Sequence, residues 1–219
     1  MNDRAVILDV DGTLVDSNDA HAEAWIAAFT EFGITVAYDA VRRSIGMGGD
    51  KLMPAVAGIE EDSRLGRQIA QRRGDIFKSR HLPGIAAFPR VRELIQRLKE
   101  DGFTLAVASS AKEDELDPLL EAAGVKDLIP ARTSSDDVDR SKPDPDIVVA
   151  ALQQVSADHG SAVMIGDTPY DVAAAKRAGI EIVGVECGGW TREALAGAVE
   201  VYRDPADLLE RYASSIFGR

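Results

Sequence analysis

Asp9-Val10-Asp11-Gly12-Thr13 follows the apolar run Ala5 to Leu8. A short apolar run that ends in acidic residues and glycine predicts a buried strand with polar groups at its carboxyl end. Runs of the same form occur at residues 103–108, 162–165 and 180–185, and a weaker one at residues 128–131. The chain is therefore expected to contain a sheet built from buried strands.

Amphipathic helical patterns lie between these runs. Residues 91–98 repeat apolar side chains at i, i+3, i+4 and i+7, and similar patterns cover residues 116–123, 147–155 and 172–178. Apolar strands that alternate with helices predict an α/β fold, a doubly wound, Rossmann-like parallel sheet. Ligands of such sheets bind outside the carboxyl ends of the strands, where the polar residues of this chain are expected.

Residues 16–82 interrupt the alternation of strands and helices. They contain helical patterns and no convincing strand, with a glycine-rich turn at residues 45–51. We therefore predict a helical cap domain at residues 16–82, inserted after the first strand. Residues 1–15 and 83–219 would together form the core domain.

Composition limits the classes of partner. The 219 residues carry a formal net charge of −12, which repels nucleic acid and anionic lipid, so neither is an expected partner. The single cysteine excludes an internal disulfide, and no signal peptide or membrane span is expected, so we predict a cytoplasmic protein. If such an acidic protein binds a phosphate ester, it must concentrate positive charge locally.

Asp9 and Asp11 lie two residues apart at the end of the first predicted strand. Both side chains can point the same way if the strand geometry continues. Two carboxylates this close repel each other unless they share a cation or one is protonated. A divalent metal explains the pairing, and Mg²⁺ is typically held by few carboxylates. A solvated acidic turn is the alternative for this pair alone.

Other predicted strand ends carry groups that complement this pair. Asp167 and Asp171 follow the run at 162–165 and can complete a magnesium site. Lys142 can neutralise phosphate and carboxylate charge. Ser109 and Ser110 offer a hydroxyl and backbone N–H groups to phosphate oxygens, although helix capping is an equal alternative.

The order and spacing of these motifs resemble those of the haloacid dehalogenase-like (HAD) hydrolase superfamily over nearly the whole chain. Asp9 to Ser17 resembles its first motif, Ser109 its second, Lys142 its third, and Gly166 to Asp171 its fourth. The position of the helical insert resembles the C1 cap subclass, which includes phosphoglycolate phosphatases and β-phosphoglucomutases.

The resemblance implies a role for each matched residue. Asp9 would attack phosphorus and form an aspartyl phosphate, and Asp11 would act as the general acid and base. Mg²⁺ would be held by Asp9, the Asp11 backbone carbonyl and Asp167, with Asp171 either as a ligand or directly behind the ligands. Lys142 would pair with Asp9 and the phosphoryl group.

Further residues are implied to bind or position the substrate. The Ser109 hydroxyl and the Ser110 N–H would complete the phosphoryl cradle, and Thr13 would support the loop after the first strand. His21, in the cap, could sense closure or position Asp11. Lys51 could contact substrate at the end of the glycine-rich turn. For the last two, a solvated helix residue is the alternative.

Departures from related subclasses favour a phosphatase. Family dehalogenases lack an aspartate at the place of Asp11. The β-phosphoglucomutases share a histidine matching His21, but they carry a cap-loop arginine that is absent from residues 46–49. Lys51 is displaced by two residues from the Schiff-base lysine of phosphonoacetaldehyde hydrolases.

The fourth motif further separates a phosphatase from a mutase, and the second motif restricts the range of expected substrates. Asp167 and Asp171 are spaced as in phosphatases, whereas the mutases usually carry an adjacent acidic pair. Ser109-Ser110 differs from the Thr-Asn usual in phosphoglycolate phosphatases, which argues against phosphoglycolate as the substrate.

The sequence thus predicts a monomeric, magnesium-dependent phosphatase that acts on a small phosphorylated metabolite. A sugar-phosphate mutase of the β-phosphoglucomutase type is the alternative among enzymes. A non-catalytic HAD-like binding protein is the alternative from another class, and the intact set of acidic residues and lysine speaks against it.

Overall fold

The computed structural model describes residues 4–157 and 159–219. Six parallel strands form one sheet in the order β3-β2-β1-β4-β5-β6. The strands are β1 (Ala5–Leu8), β2 (Thr104–Ala108), β3 (Ala131–Thr133), β4 (Ala162–Gly166), β5 (Glu181–Val185) and β6 (Glu200–Tyr202). The strand order reverses at β1 and β4, which makes their carboxyl ends the switch point where ligands of such sheets bind. The predicted doubly wound sheet is confirmed.

Helices cover both faces of the sheet because the side chains of β1 alternate between two apolar clusters. Val6 and Leu8 pack in the cluster that contains α5 (Val91–Glu100) and α6 (Glu113–Ala122). Ala5 and Ile7 pack in the other cluster. The helices of that second face are α7 (Asp146–Gln154) and α8 (Pro169–Ala178). A short helix, α9 (Pro205–Glu210), packs beside α5 on the first face.

The described chain between β1 and α5 is helical. It forms α1 (Asn18–Glu31), α2 (Tyr38–Ser44), α3 (Gly49–Ala57) and α4 (Arg64–Ile76), and a π-helical turn follows at Phe77–His81. The segments that enter and leave this insert pair with each other, since Asp16 N donates to Ala86 O at 3.0 Å and Phe88 N donates to Leu14 O at 3.0 Å. This pairing supports the division into a cap of residues 16–82 and a core of residues 1–15 and 83–219, which we retain as a proposal.

Several elements differ from the sequence-based prediction. The third strand covers Ala131–Thr133, and not residues 128–131, because Pro130 has no N–H for a ladder hydrogen bond. The edge strand β6, α9 and the short helices α2 and α3 were not predicted, since none has a long enough apolar pattern. No helix in the described ranges is both long and apolar enough to cross a membrane.

Candidate active site

Asp9 and Asp167 come directly after the neighbouring strands β1 and β4, so they meet at one edge of the sheet. Asp9 N donates to Ile165 O at 3.0 Å and continues the ladder past β1. Gly12 then turns the chain with φ +78°, and a Cβ at this position would lie 2.3 Å from Asp167 Oδ2. Glycine is therefore required for the loop to approach Asp167 this closely.

Lys142 is fully buried, yet its charge is paired twice. Its Nζ lies 2.5 Å from Asp9 Oδ1 and 2.8 Å from Asp171 Oδ1. Burial by itself would lower the pKa of the ammonium group, but Asp171 and Asp9 outweigh that effect and raise the pKa. Lys142 is thus a fixed positive charge at the edge of the sheet.

The buried carboxylates near Lys142 outnumber the cations around them. Oxygens of Asp9, Asp167 and Asp171 lie within 4.8 Å of one another. Burial raises the pKa of Asp9 to about 7, although Lys142 acts in the opposite direction. Burial, followed by repulsion from Asp9 and Asp171, raises the pKa of Asp167 well above its usual value. A cluster of this kind is stabilised when a cation enters it.

Asp167 and Asp171 have different surroundings. Asp167 Oδ1 and Oδ2 face only neutral donors among the described residues, namely the Thr13 hydroxyl at 3.1 Å and Asn18 Nδ2 at 3.0 Å. Both oxygens of Asp171 are engaged, Oδ1 by Lys142 and Oδ2 by the N–H and hydroxyl of Thr168. Asp167 has no cation in contact among the described residues, and Asp9 Oδ2 faces only the Thr13 hydroxyl, although Oδ1 is paired with Lys142. Oxygens of this kind fit a hard divalent cation, so Asp9 and Asp167 are the side chains most suited to hold one.

The Thr13 hydroxyl lies between two of the carboxylates. It is 3.2 Å from Asp9 Oδ2 and 3.1 Å from Asp167 Oδ1, so it can donate to one of them at a time. Thr13 therefore links the loop after β1 to these two carboxylates, and its predicted role in supporting that loop stays a prediction.

Asp11 is held by the cap. Its Oδ1 accepts a hydrogen bond from Ser17 Oγ at 2.5 Å and lies 2.8 Å from His21 Nε2. The His21 ring in turn stacks on Phe77 at a centroid distance of 3.9 Å. Burial raises the pKa of Asp11, but His21 and Ser17 have the larger combined effect and lower it. No hydrogen bond from the described residues reaches Asp11 Oδ2, which leaves this oxygen available for proton transfer.

The glycine-rich turn of the cap closes over the site. Gly46 O accepts a hydrogen bond from Ser110 Oγ at 3.1 Å, and Gly48 N donates to Ser141 Oγ at 3.0 Å. A cavity of about 40 Å³ remains below the turn. It is lined from the core by Asp9, Asp11, Ser110, Ala111, Glu115 and Lys142, and from the cap by His21, Trp25, Arg73 and residues 45–49.

Two predicted substrate contacts do not line this cavity. Ser109 is fully buried, and its Oγ accepts a hydrogen bond from Ala111 N at 3.0 Å. Lys51 lies 2.9 Å from Asp144 Oδ2, so it connects the cap to the loop that carries Lys142. Their predicted contacts with substrate stay predictions.

Three charged or aromatic residues of the cavity lining were not predicted as site residues, namely Arg73, Glu115 and Trp25. Arg73 of α4 donates from Nη1 to both carboxylate oxygens of Glu115 in α6, at 3.0 and 2.8 Å. Trp25 of α1 lies beneath the guanidinium, and the Cζ atom of Arg73 is 5.1 Å from the centroid of its ring. The sequence contained one signal for the Arg73–Glu115 pair, because each of these two charged residues lies on the otherwise apolar face of its own helix.

The fold and the site together define a class of protein, a capped Rossmann-like enzyme with an acidic centre at the switch point of its sheet. Residues 6–185 match the family model described as Haloacid dehalogenase-like hydrolase. The chain belongs to the haloacid dehalogenase-like hydrolase family and is an enzyme of that family, as the motifs predict.

Similar proteins support this assignment. The Dickeya dadantii protein named "Probable phosphatase IndB" is 34% identical over 197 residues, which cover 88% of this chain and 85% of that protein. The phosphoglycolate phosphatase of Rhodospirillum rubrum is 32% identical over 215 residues, covering 94% and 89%. The crystal structure of a hydrolase from Pseudomonas syringae matches with a TM-score of 0.89 and 30% identity, covering 96% of this chain and 98% of that one.

Proposed function

We propose that this chain is a magnesium-dependent phosphatase that hydrolyses the phosphate monoester of a small metabolite through an aspartyl phosphate on Asp9. The observation that carries the proposal is the contact between Asp9 and the buried Lys142, at 2.5 Å, beside the uncompensated Asp167. An anionic nucleophile can approach an anionic phosphate only where fixed positive charge offsets the repulsion. The similarity to proteins named as phosphatases supports the same reaction.

Asp9 and Asp167 would hold the magnesium ion, together with the Asp11 backbone carbonyl. When bound, the ion offsets the negative charge of the phosphoryl group and of the carboxylates. Asp171 has both oxygens engaged by Lys142 and Thr168, so we assign it to positioning the lysine. This assignment chooses between the two roles that the sequence left open for Asp171.

The first half-reaction transfers the phosphoryl group to the enzyme. A carboxylate oxygen of Asp9 forms a bond to phosphorus while the bond between phosphorus and the ester oxygen breaks. Asp11 donates a proton to the leaving oxygen, and the Lys142 ammonium stays beside Asp9 to offset the transferred charge. His21 and Ser17 hold Asp11 through Oδ1, so Oδ2 is the oxygen that would carry the proton.

The second half-reaction releases phosphate. Asp11, now ionised, takes a proton from water, and the resulting hydroxide oxygen bonds to phosphorus as the bond to Asp9 breaks. The lowered pKa of Asp11 favours the ionised form required at this stage, and the proton that Asp11 takes from water here is the one that it donates to the leaving oxygen in the next first half-reaction. Inorganic phosphate leaves and Asp9 is regenerated.

Phosphate release from p-nitrophenyl phosphate and from a panel of phosphorylated metabolites tests the function. We expect turnover with Mg²⁺, none with chelator, and none with Asp9→Asn. Acid quenching during turnover should give a protein heavier by one phosphoryl group, and the mass should map to the peptide that contains Asp9. Turnover that survives in Asp9→Asn would show that another group is the nucleophile.

A sugar-phosphate mutase remains the second candidate because His21 contacts Asp11 at 2.8 Å, and a matching histidine occurs in β-phosphoglucomutases. The cap turn at residues 46–49 contains no arginine for a second phosphate. Incubation with glucose 1-phosphate separates the two reactions. Isomer formation without net release of phosphate would replace the phosphatase proposal with the mutase.

We also propose that the enzyme works as a cytoplasmic monomer. The single cysteine cannot form an internal disulfide and suits a reducing compartment. Size-exclusion chromatography with light scattering should give the mass of one chain, about 23.5 kDa.

A further inference from the structure

Arg73 and Glu115 form a buried ion pair across the junction of cap and core. The side chain of Glu115 is fully buried, and that of Arg73 is only 10% exposed. Arg73 lies on α4 of the cap and Glu115 on α6 of the core, and both line the cavity that contains Asp9 and Asp11. The pair is therefore a wall of the proposed site and not a surface contact.

The pair is neutral as a unit, but it retains hydrogen-bonding capacity. A guanidinium group has five N–H donors, and Arg73 uses only Nη1 toward Glu115. Its Nε is buried without a partner, and Nη2 makes no hydrogen bond to the described residues. Trp25 lies beneath the guanidinium and restricts its movement.

Every cationic side chain among the described cavity residues is already compensated. Lys142 is paired with Asp9 and Asp171, and Arg73 is paired with Glu115. A carboxylate or second phosphate on the leaving group would find no free cation here, and it would lie near Glu115. A hydroxyl can accept a hydrogen bond from the guanidinium and donate one to a carboxylate.

Building on the proposed phosphatase function, we propose that the Arg73–Glu115 pair selects esters whose leaving group is a neutral polyhydroxylated molecule. Arg73 supplies hydrogen bonds to hydroxyl groups, and Glu115 cancels the charge that would otherwise attract an anion. Leaving groups with a carboxylate or a second phosphate are discriminated against because their charge loses hydration at this site and finds no uncompensated cation among the described cavity residues, a form of negative selection.

Matched pairs of esters test this selectivity. Glycerol 3-phosphate is compared with 3-phosphoglycerate, and glucitol 6-phosphate with 6-phosphogluconate, so that within each pair a carboxylate replaces one hydroxymethyl group. For the protein with Mg²⁺, kcat/KM for the neutral member should exceed that for the acidic member about tenfold or more, since a carboxylate that enters a partly buried site loses hydration that no free cation replaces. Equal values, or preference for the acidic member, would overturn the inference.

Variants of the pair separate charge selection from a structural role. Glu115→Gln keeps the shape but exposes the Arg73 charge, so the ratio should shift about tenfold toward the acidic ester. Arg73→Gln should shift the ratio the other way. The double variant has no buried unpaired charge and should return near the original ratio. Loss of structure alone would lower kcat/KM for both esters in parallel and leave the ratio unchanged, which would refute charge selection.

Asp114→Asn is the matched control. Asp114 precedes Glu115 on α6 and pairs with Lys78 across the same junction, but its side chain is 59% exposed and lies outside the cavity lining. Its substitution should not change the ratio. Hydrolysis of p-nitrophenyl phosphate distinguishes the two levels of failure. If no ester is hydrolysed, the phosphatase proposal fails and this inference with it, whereas hydrolysis without the expected preference overturns the inference alone.

Discussion

Asp167→Asn should make the metal-free protein more stable near neutral pH, although it alters a residue of the proposed metal site. Asp167 is fully buried with two neutral hydrogen-bond donors and no cation among the described residues in contact with it. Asparagine keeps the size of the side chain and removes the charge. The variant therefore isolates the electrostatic cost of gathering carboxylates around one ammonium group.

The magnitude follows from the raised pKa values. The pKa of Asp9 rises from 3.8 to about 7, chiefly through burial. At about 1.4 kcal/mol per pKa unit, ionised Asp9 lowers the free energy of unfolding by about 4 kcal/mol. If about 4 kcal/mol is taken as the scale for one buried, repelled carboxylate, and about 1–2 kcal/mol is subtracted for the imperfect hydrogen bonds of an amide, Asp167→Asn should gain at least about 2 kcal/mol. A net gain of about 2 kcal/mol raises Tm by about 4–8 °C in a chain of this size.

The gain should depend on pH in a defined direction. A raised folded-state pKa means that the folded protein binds the proton more tightly than the unfolded chain does. The penalty is therefore absent below the unfolded pKa of Asp9, 3.8, and complete above the folded value of about 7. Asp167→Asn should be more stable than the unsubstituted protein at about pH 8, and the difference should fall toward zero as the pH falls to about 4.

Thermal unfolding with chelator and with Mg²⁺ checks these expectations. Mg²⁺ at a hundredfold excess over its Kd should raise the free energy of unfolding of the unsubstituted protein by about 2.7 kcal/mol, and Tm should rise accordingly. Asp167→Asn should lose most of that increase. The reasoning is refuted if metal-free Asp167→Asn unfolds at a lower temperature at about pH 8, or if Mg²⁺ stabilises both proteins equally.

Asp207→Asn is a control for which the opposite change in Tm is expected. Asp207 is also buried, but it accepts hydrogen bonds from the Arg203 backbone and from the Arg211 side chain, and despite burial its pKa is lowered. Asparagine at this position should lower Tm near neutral pH and leave the stabilisation by Mg²⁺ unchanged.

Three further substitutions test other parts of the site. Asp11→Asn should slow both formation and hydrolysis of the phosphoenzyme by about 10²–10⁴-fold, measured by rapid quench. Lys142→Met leaves two buried carboxylates without their shared cation, and it should lower stability of the metal-free protein by about 3–5 kcal/mol in thermal unfolding. Gly46→Ala places a Cβ 2.8 Å from Thr168 Cγ2 at φ +105°, and it should lower stability by about 1–3 kcal/mol and raise KM. Gly33→Ala is the control for Gly46→Ala, because Gly33 has φ +74° and an added Cβ would meet no neighbour within 4 Å. It should lower stability through backbone strain and leave KM unchanged.

Much of the fold could be predicted because apolar runs and helical periodicity are local properties of the chain. The four stronger runs coincide with β1, β2, β4 and β5 to within about one residue at each end. The weaker run misplaced β3, and β6 went unpredicted, since an edge strand of three residues is specified by its pairing with β5 and not by its own composition. The short cap helices α2 and α3 likewise depend on packing against their neighbours.

The gathering of Asp9, Lys142, Asp167 and Asp171 was also predictable, because parallel strands bring their carboxyl ends to one edge of the sheet. The pairing of Lys142 with Asp9 was also expected from the resemblance, but the partners of Asp171 and Lys51 were not. Asp171 contacts Lys142, and Lys51 contacts Asp144 on the core. Such choices depend on side-chain directions that the order of motifs does not specify.

The sequence by itself predicted the class of fold, the family and the role proposed for Asp9, since these depend on residue types at strand ends. Only the tertiary structure decided which cap side chains enter the cavity. Arg73 and Glu115 are 42 positions apart, on different helices of cap and core. Their charges meet because the helical insert packs on the sheet edge, and no periodicity along the chain encodes a contact between helices so far apart in the sequence.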